Sequence, residues 1–293
     1  MSDGLVIVDK PSGWTSHDVV GRMRRLAHTR RVGHAGTLDP MATGVLVLGV
    51  NKATRLLHHL VLADKEYTAT IRLGSATVTD DADGEVVFRA SAAAVDEGAI
   101  RAGMARLTGR IMQRPSAVSA IKIDGERAYK RVREGRDVEL PARPVTVARF
   151  AAIRCTRPSG ELLDVDVVVE CSSGTYVRAL ARDLGSALGV GGHLVALRRT
   201  RVGAFGLDAA ASLDELARLD DPVTLPLADA VRATMPARVL TADQVRALSY
   251  GRAVEPAGLS GTYGAFAADG SVVALLTEGG VHARPVLVFT PAG

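Results

Sequence analysis

Cysteine is nearly absent from the chain: Cys155 and Cys171 are the only two among 293 residues. Two thiols cannot build a disulfide framework. Neither belongs to a Cys-x-x-Cys pair, which argues against a structural zinc site or a thioredoxin-type motif. Reduced, buried thiols of a cytosolic protein fit this usage. No window holds about 18 uninterrupted apolar residues, so no membrane span is expected. The opening Met1-Ser2-Asp3-Gly4 lacks a basic stretch followed by an apolar one, and no signal peptide is expected. The expected compartment is the cytoplasm. Internal repeats, low-complexity tracts, Gly-rich nucleotide loops and a Gly-x-Ser-x-Gly elbow are missing as well. The seven histidines show no metal-ligand spacing. Asp80-Asp81-Ala82-Asp83-Gly84-Glu85 fails the calcium-loop pattern, because Thr79 and Ala90 occupy its first and last ligand places. It reads as a polar hairpin loop, and neither a metal nor a cofactor is expected.

What the chain does have is a full-sized apolar fraction, 47%, with 23% charged residues. Its length suggests two domains at roughly 150 residues each. The net charge is only +4, but 31 of the 36 basic residues are arginine. That bias has two readings: base composition of the gene, or the planar fork of arginine suited to phosphate. Clustering favours the second. Arg22, Arg24, Arg25, Arg30 and Arg31 fall within ten residues without an acid. Lys130, Arg131, Arg133 and Arg136 form a second group, and Arg198, Arg199 and Arg201 a third. From Arg238 onward four basic residues balance four acids, so the excess lies in the first 237 residues. Binding to a polyanion follows from this distribution; a solvated surface is the competing reading.

The periodicity mixes strands and helices without strict βαβ alternation. Leu5 to Val8 and Val45 to Val50 are apolar runs read as strands. Ser16 or Asp18 is placed to cap a helix through Val19, Met23 and Leu26. Thr54 to Leu62, Ala94 to Leu107 and Tyr176 to Leu188 read as helices. In Glu66 to Leu73 the residues Tyr67, Ala69, Ile71 and Leu73 share one face, the strand period. Asp83-Gly84 reads as a hairpin turn into Val86-Val87-Phe88, and Leu162 to Glu170 as a strand. After the proline-bearing stretch Thr224 to Arg238, a helix over Thr241 to Leu248 and three short strands near 261–266, 272–276 and 286–289 form a β-rich module of about 55 residues. The expected class is α+β with a mixed, largely antiparallel sheet flanked by helices.

Two segments carry chemistry. In Gly33-His34-Ala35-Gly36-Thr37-Leu38-Asp39-Pro40-Met41-Ala42-Thr43-Gly44, glycines permit close backbone approach, and Pro40 pushes Asp39 out of the helical region. One carboxylate then stands on a loop beside an arginine cluster. It is either a turn-forming Asp-Pro pair or a nucleophile or base acting on a polyanionic substrate. Cys171-Ser172-Ser173-Gly174-Thr175-Tyr176-Val177-Arg178 runs from a strand into a helix N-terminus, where Arg178 is either a surface residue or a clamp for an anion. Tyr67 is either a core aromatic or a stacking platform for an unpaired base.

The Gly33–Gly44 motif, Lys65-Glu66-Tyr67, Ser172–Arg178 and Gly192-His193-Leu194-x-x-Leu197-Arg198-Arg199-Thr200, in that order, resemble the TruB family of tRNA pseudouridine-55 synthases. Lys10-Pro11 matches too, and the resemblance covers residues 4 to 235. It implies a pseudouridine-synthase fold over residues 1–235, with an RNA-gripping insertion at about 110–145. It also implies a PUA-like RNA-binding domain over residues 236–293. The implied activity is isomerisation of uridine 55 in the T loop of tRNA by base flipping, without a cofactor. Asp39 would be the nucleophile, by attack on ribose C1′ or through a glycal. Tyr67 would stack on the target base and help remove the proton from its C5, and Arg178 would pair with Asp39. Tyr176 and Leu197 would line the uridine pocket, with Lys10 also in the substrate-binding set. His34 would fill the space the flipped nucleotides vacate. Arg24, Arg25, Arg31, Lys130, Arg131, Arg198 and Arg199 would meet the RNA backbone. Gln113-Arg114-Pro115-Ser116-Ala117-Val118 departs from the family's insertion at Ser116 and Val118, where a proline and an aromatic are expected. A tRNA-binding protein without catalysis and a guide-RNA-dependent synthase are the alternatives. The presence of Asp39, Tyr67 and Arg178 opposes the first. The long insertion, with no extension for docking a partner, opposes the second and argues for an enzyme with no obligatory protein partner; a monomer is the expectation.

Overall fold

The computed structural model describes residues 2–116, 122–123, 126–127 and 140–292. In chain order, the first elements are β1 (Gly4–Lys10), α1 (Ser16–Leu26), β2 (Val32–Ala35), β3 (Thr43–Val50) and α2 (Leu57–Val61). Next come β4 (Lys65–Leu73), β5 (Ser75–Thr77), β6 (Val86–Arg89), α3 (Glu97–Arg106) and β7 (Gly109–Gln113). The short pair β8 (Lys122–Ile123) and β9 (Glu126–Arg127) precedes β10 (Arg143–Thr156), β11 (Leu163–Cys171), α4 (Val177–Ala187) and β12 (Gly192–Val202). Then follow β13 (Phe205–Gly206), α5 (Leu213–Leu216), β14 (Leu225–Pro226) and α6 (Leu227–Thr234). The chain closes with β15 (Ala237–Val239), α7 (Ala242–Ser249), β16 (Thr262–Phe266), β17 (Val272–Gly279) and β18 (His282–Val288). The class is α+β with mixed sheets, as expected. Among the described residues, no helix is long and apolar enough to cross a membrane.

The chain divides into two compact units, one of residues 1–40, 45–61 and 203–293, the other of residues 41–44 and 62–202. In the first unit the strand order is β14-β1-β3, with β2 antiparallel to β3. The apolar runs of β1 and β3 are buried along almost their whole length. Helix α1 begins one residue earlier than expected. Thr15, rather than Ser16 or Asp18, is its N-cap, and Asp18 completes a capping box with it. The Thr15 hydroxyl and backbone N–H both donate to the Asp18 carboxylate and lower its pKa. Val19, Val20 and Met23 are buried, while Arg24 and Arg25 stand exposed on the last turn, where positive charge suits the helix dipole.

The C-terminal module belongs to this same unit. Its sheet runs β15-β16-β17-β18, with β15 and β16 parallel and the rest antiparallel. Leu240, Leu248, Tyr263, Val273 and Leu276 form a small core of its own. Arg232 of α6 lies 4.2 Å from the ring centre of Phe266, and Arg55 donates to Val288 O at 2.7 Å.

In the second unit the order is β12-β4-β11-β10-β7, all antiparallel. Strand β4 is strictly alternating, with Lys65, Tyr67, Ala69, Ile71 and Leu73 buried, the face its sequence period picks out. Strands β5 and β6 form the expected hairpin. Strands β10 and β12 go beyond the periodicity. Their arginines read as surface charge, and only pairing with distant strands makes them ladder members. Thr43 and Gly44 pair in parallel with Arg198 and Arg199. Gly44 has φ +98°, and a Cβ there would stand 2.1 Å from Arg199 O, so only glycine fits this approach. Burial raises the pKa of the Cys171 thiol to about 11, which keeps it protonated, whereas Cys155 is only half-buried.

Candidate active site

In the first unit, the loop that leaves β2 carries Asp39. Gly36 turns the chain with φ +84°. The residues on either side of Asp39 are then pinned. The buried Ser16 hydroxyl accepts from Leu38 N–H at 2.9 Å and also lies 3.2 Å from Leu38 O. Gly13 N–H donates to Pro40 O at 2.8 Å. Asp39 itself is half-buried. His34 is half-buried on β2, opposite Leu48.

Lys10 departs from its expected place in the substrate-binding set. It is 0% exposed, and its ammonium donates to Pro11 O at 2.9 Å, Trp14 O at 2.6 Å and Pro40 O at 3.2 Å. A buried ammonium is tolerated only when its donors are used. Here they tie two loops together, so Lys10 supports the Asp39 loop from within.

In the second unit, Tyr67 sits on β4 directly opposite Arg199 of β12 and Val169 of β11, and Leu197 sits opposite Ala69. Opposed residues and i, i+2 neighbours share a face, so Tyr67, Leu197 and Arg199 lie on one side of the sheet. Tyr67 and Leu197 are buried. Arg199 is buried too, at 1% exposure, which removes it from the residues able to meet an RNA backbone. Its place opposite Tyr67 turns its side chain to the buried face. Arg198 is half-exposed, with a guanidinium N–H donating to Thr43 Oγ1 at 3.3 Å.

Tyr176 is the N-cap of α4, and Arg178 stands in the first turn. A cation there opposes the helix dipole, and this one is also buried, at 4% exposure. The compensation comes from the β5–β6 hairpin. Arg178 donates to Asp81 Oδ2 at 3.2 Å and to Thr79 O at 3.0 Å. Thr79 Oγ1 donates in turn to the Asp81 carboxylate. The neighbouring Asp80, in the left-handed region at φ +60°, accepts from Arg182 at 3.1 Å. Burial raises the pKa of Asp80, while the charge of Arg182 opposes the rise.

Asp80 and Asp81 are residues that sequence reasoning misses, because they read as a solvated hairpin. No local signal marks them, since Asp81 and Arg178 are 97 residues apart in the chain. Gln113 reads from the sequence only as part of the insertion. It is 1% exposed and holds Tyr176 by two hydrogen bonds.

Arg24, Arg25 and Arg31 are exposed. Lys130 and Arg131 lie outside the described residues. Among the described residues, no three His, Cys, Asp or Glu side chains are grouped to hold a metal ion.

Residues 24–177 match the family model described as TruB family pseudouridylate synthase, N-terminal domain. Residues 178–229 match the tRNA pseudouridylate synthase B C-terminal domain, and 235–290 the tRNA pseudouridine synthase II C-terminal model. The tRNA pseudouridine synthase B of Arthrobacter sp. (strain FB24) is 63% identical, with 100% of this chain and 98% of that protein aligned. That of Thermobifida fusca (strain YX) is 58% identical, with 99% of each covered. Among solved structures, a chain of a Cbf5–Nop10–Gar1 complex is 28% identical, with a TM-score of 0.73 over 98% of this chain and 85% of the other. A chain of an H/ACA ribonucleoprotein bound to a substrate RNA containing 2′-deoxyuridine is 25% identical, with a TM-score of 0.72 and the same coverage.

Proposed function

Since the chain belongs to the TruB family of pseudouridylate synthases, we propose that Asp39 drives the conversion of uridine 55 in the tRNA T loop to pseudouridine. The activity is an isomerisation on tRNA. The bond from uracil N1 to ribose C1′ breaks, the base turns, and C5 bonds to C1′. The proton on C5 leaves and N1 ends protonated, so nothing is oxidised or reduced. The observation that carries this reading is Asp39 itself, half-buried between two backbone anchors in a chain 63% identical over its whole length to a tRNA pseudouridine synthase B.

Each residue then has a task. Asp39 is the nucleophile: one carboxylate suffices, because the group that attacks C1′ leaves again when C5 attaches. Tyr67 stacks on the everted base, and Tyr176 and Leu197 wall the pocket. Arg178 keeps Asp39 ionised and aimed, while Lys10 supports the loop. His34 fills the gap left in the RNA. Unstacking the base costs a few kcal/mol, in the general range for flipped nucleotides. Phosphate contacts from Arg24, Arg25, Arg31 and Arg198 offset that cost. Residues 236–293 act as a PUA-like RNA-binding module, and the protein works in the cytoplasm as a monomer. Its near-complete coverage of relatives named tRNA pseudouridine synthase B supports action on tRNA.

The test is incubation with an unmodified T-arm hairpin, without added metal or cofactor, followed by chemical mapping of pseudouridine. The wild-type chain should modify one uridine. Asp39→Asn should bind the hairpin and leave it unmodified, and a full-rate Asn variant would refute the assignment.

A further inference from the structure

Gln113 ends β7, is almost fully buried, and gives both faces of its amide to one residue. Its Nε2–H donates to Tyr176 O at 3.1 Å, and its Oε1 accepts from Tyr176 N–H at 2.8 Å. Tyr176 is the N-cap of α4 in extended conformation, and its own side chain makes no capping bond. A helix N-cap position leaves backbone N–H groups to be satisfied from outside. Here a distant side chain does this, pairing with Tyr176 as a neighbouring strand would.

Few side chains can replace it. The amide needs a donor and an acceptor side by side at glutamine's reach. A carboxylate lacks the donor, while lysine and arginine lack the acceptor. The surroundings act on the same residue. Arg143, directly opposite Gln113 in the β7–β10 ladder, has its guanidinium 5.8 Å from the ring centre of Tyr176. Arg182 of α4 donates to Arg114 O at 2.7 Å, tying the residue after Gln113 to the same helix. The backbone of Tyr176 is thus fixed from β7, and its ring is faced from β10.

We propose that Gln113 is a positioning residue for the reaction. By locking the backbone of Tyr176 it sets that ring against the uracil, so its loss slows the bound-state step rather than RNA binding. This rests on the reading of Tyr176 as a wall of the uridine pocket. A misplacement of about 1 Å costs up to about a hundredfold in rate.

The experiment measures single-turnover pseudouridine formation on the T-arm hairpin at saturating enzyme, with hairpin Kd and thermal midpoint alongside. The variants are Gln113→Leu, Gln113→Glu, Tyr176→Ala and the double variant Gln113→Leu/Tyr176→Ala. Gln113→Leu should slow the bound-state rate by about ten- to a hundredfold, with Kd changed by less than about threefold. With the ring gone, adding Gln113→Leu should cost less than about threefold, since residues acting as a unit are not additive. Gln113→Glu supplies a readout that a merely structural role would not move. Its neutral acid can donate to Tyr176 O and accept from Tyr176 N–H, but its carboxylate cannot donate. The Gln113→Glu rate divided by the wild-type rate should therefore fall as pH rises through the carboxyl titration. Should Gln113→Leu fail to fold, that ratio still decides.

A full-rate Gln113→Leu beside a slow Tyr176→Ala overturns the proposal and leaves the pocket reading intact. A full-rate Tyr176→Ala overturns both. Equal costs of Gln113→Leu in the two backgrounds, or a depressed ratio flat in pH, assign Gln113 a general structural role and overturn the proposal.

Discussion

Replacing Asp81 by Asn takes a carboxylate partner from a buried guanidinium. Asp81 and Arg178 meet at 3.2 Å with side chains 8% and 5% exposed. At an effective dielectric near 20, two unit charges at that separation attract by about 5 kcal/mol. Dehydrating them takes most of this back, so the intact pair contributes little net stability. Breaking it is another matter, because the remaining charge keeps its desolvation cost; such losses run at about 3–5 kcal/mol. Arg178 retains Thr79 O as an acceptor, which places Asp81→Asn near the lower end, at about 3 kcal/mol. That is a large part of the total stability of an ordinary domain. Urea unfolding of wild type, Asp81→Asn, Arg178→Met and the double variant measures it. The double variant should be more stable than the sum of the single losses predicts, by about 2 kcal/mol, because the two side chains are coupled partners and each single change already breaks their pair. Pseudouridine formation by Asp81→Asn should slow at saturating enzyme while hairpin binding holds, because Arg178 loses one of the groups that orient it. Losses that simply add, or an Asp81→Asn cost below about 1 kcal/mol, would refute the claim that this pair holds Arg178 in place.

Other outcomes follow from the same physics. Neutralising Arg24, Arg25 and Arg31 together should weaken tRNA binding and flatten the plot of log K against log salt, the slope falling by roughly 0.7–0.9 for each phosphate no longer neutralised; an unchanged slope counts against this patch. Lys65 is 6% exposed, and burial, then the charge of Arg199, lowers its pKa to about 8. Between about pH 8 and the ordinary lysine value near 10.4 the unfolded chain holds a proton that the folded chain releases, so stability rises with pH across that window. Below pH 8 the folded state bears the full penalty, and Lys65→Met should raise stability at pH 7 by up to about 3 kcal/mol and abolish the rise, as read from urea midpoints at a series of pH values. Gly44→Ala should lose several kcal/mol of stability or fail to fold, since its Cβ would meet Arg199 O at 2.1 Å; a midpoint close to wild type in thermal unfolding would contradict the close approach.

The local pattern carries much of the fold. Burial alternates along β4 as the Tyr67–Leu73 period requires, and Val45–Val50 is buried throughout. The helix over Tyr176–Leu188 lies at Val177–Ala187 with those two residues as its caps. The C-terminal helix and the first strand after it lie close to their expected bounds, whereas β17 runs on to Gly279 and β18 starts at His282, four residues before the expected Val286. Where pattern fails, a long-range partner decides. Arg198, Arg199 and Arg201 read as one basic cluster, yet the ladder with β4 buries Arg199 and leaves Arg198 half-exposed. Lys10 reads as a substrate contact, but three carbonyls hold it inside. The cap of α1 lies one residue before the expected Ser16 because Ser16 and Thr15 are both competent caps. The hydroxyl of Ser16 is instead engaged with Leu38, 22 residues away.

By itself the sequence determined which side chains are available for the chemistry. Asp39 between its glycines, Tyr67 on an alternating strand and Arg178 at a helix start are choices made over a dozen residues, within the reach of backbone sterics and hydrophobic period. Only the tertiary structure decided who holds them. Asp81 for Arg178, Gln113 for Tyr176 and Lys10 for the Asp39 loop are partners brought together across 97, 63 and 30 residues respectively. Their bonds are specified by where strands pair and what burial leaves unsatisfied, and no local stretch of chain encodes either.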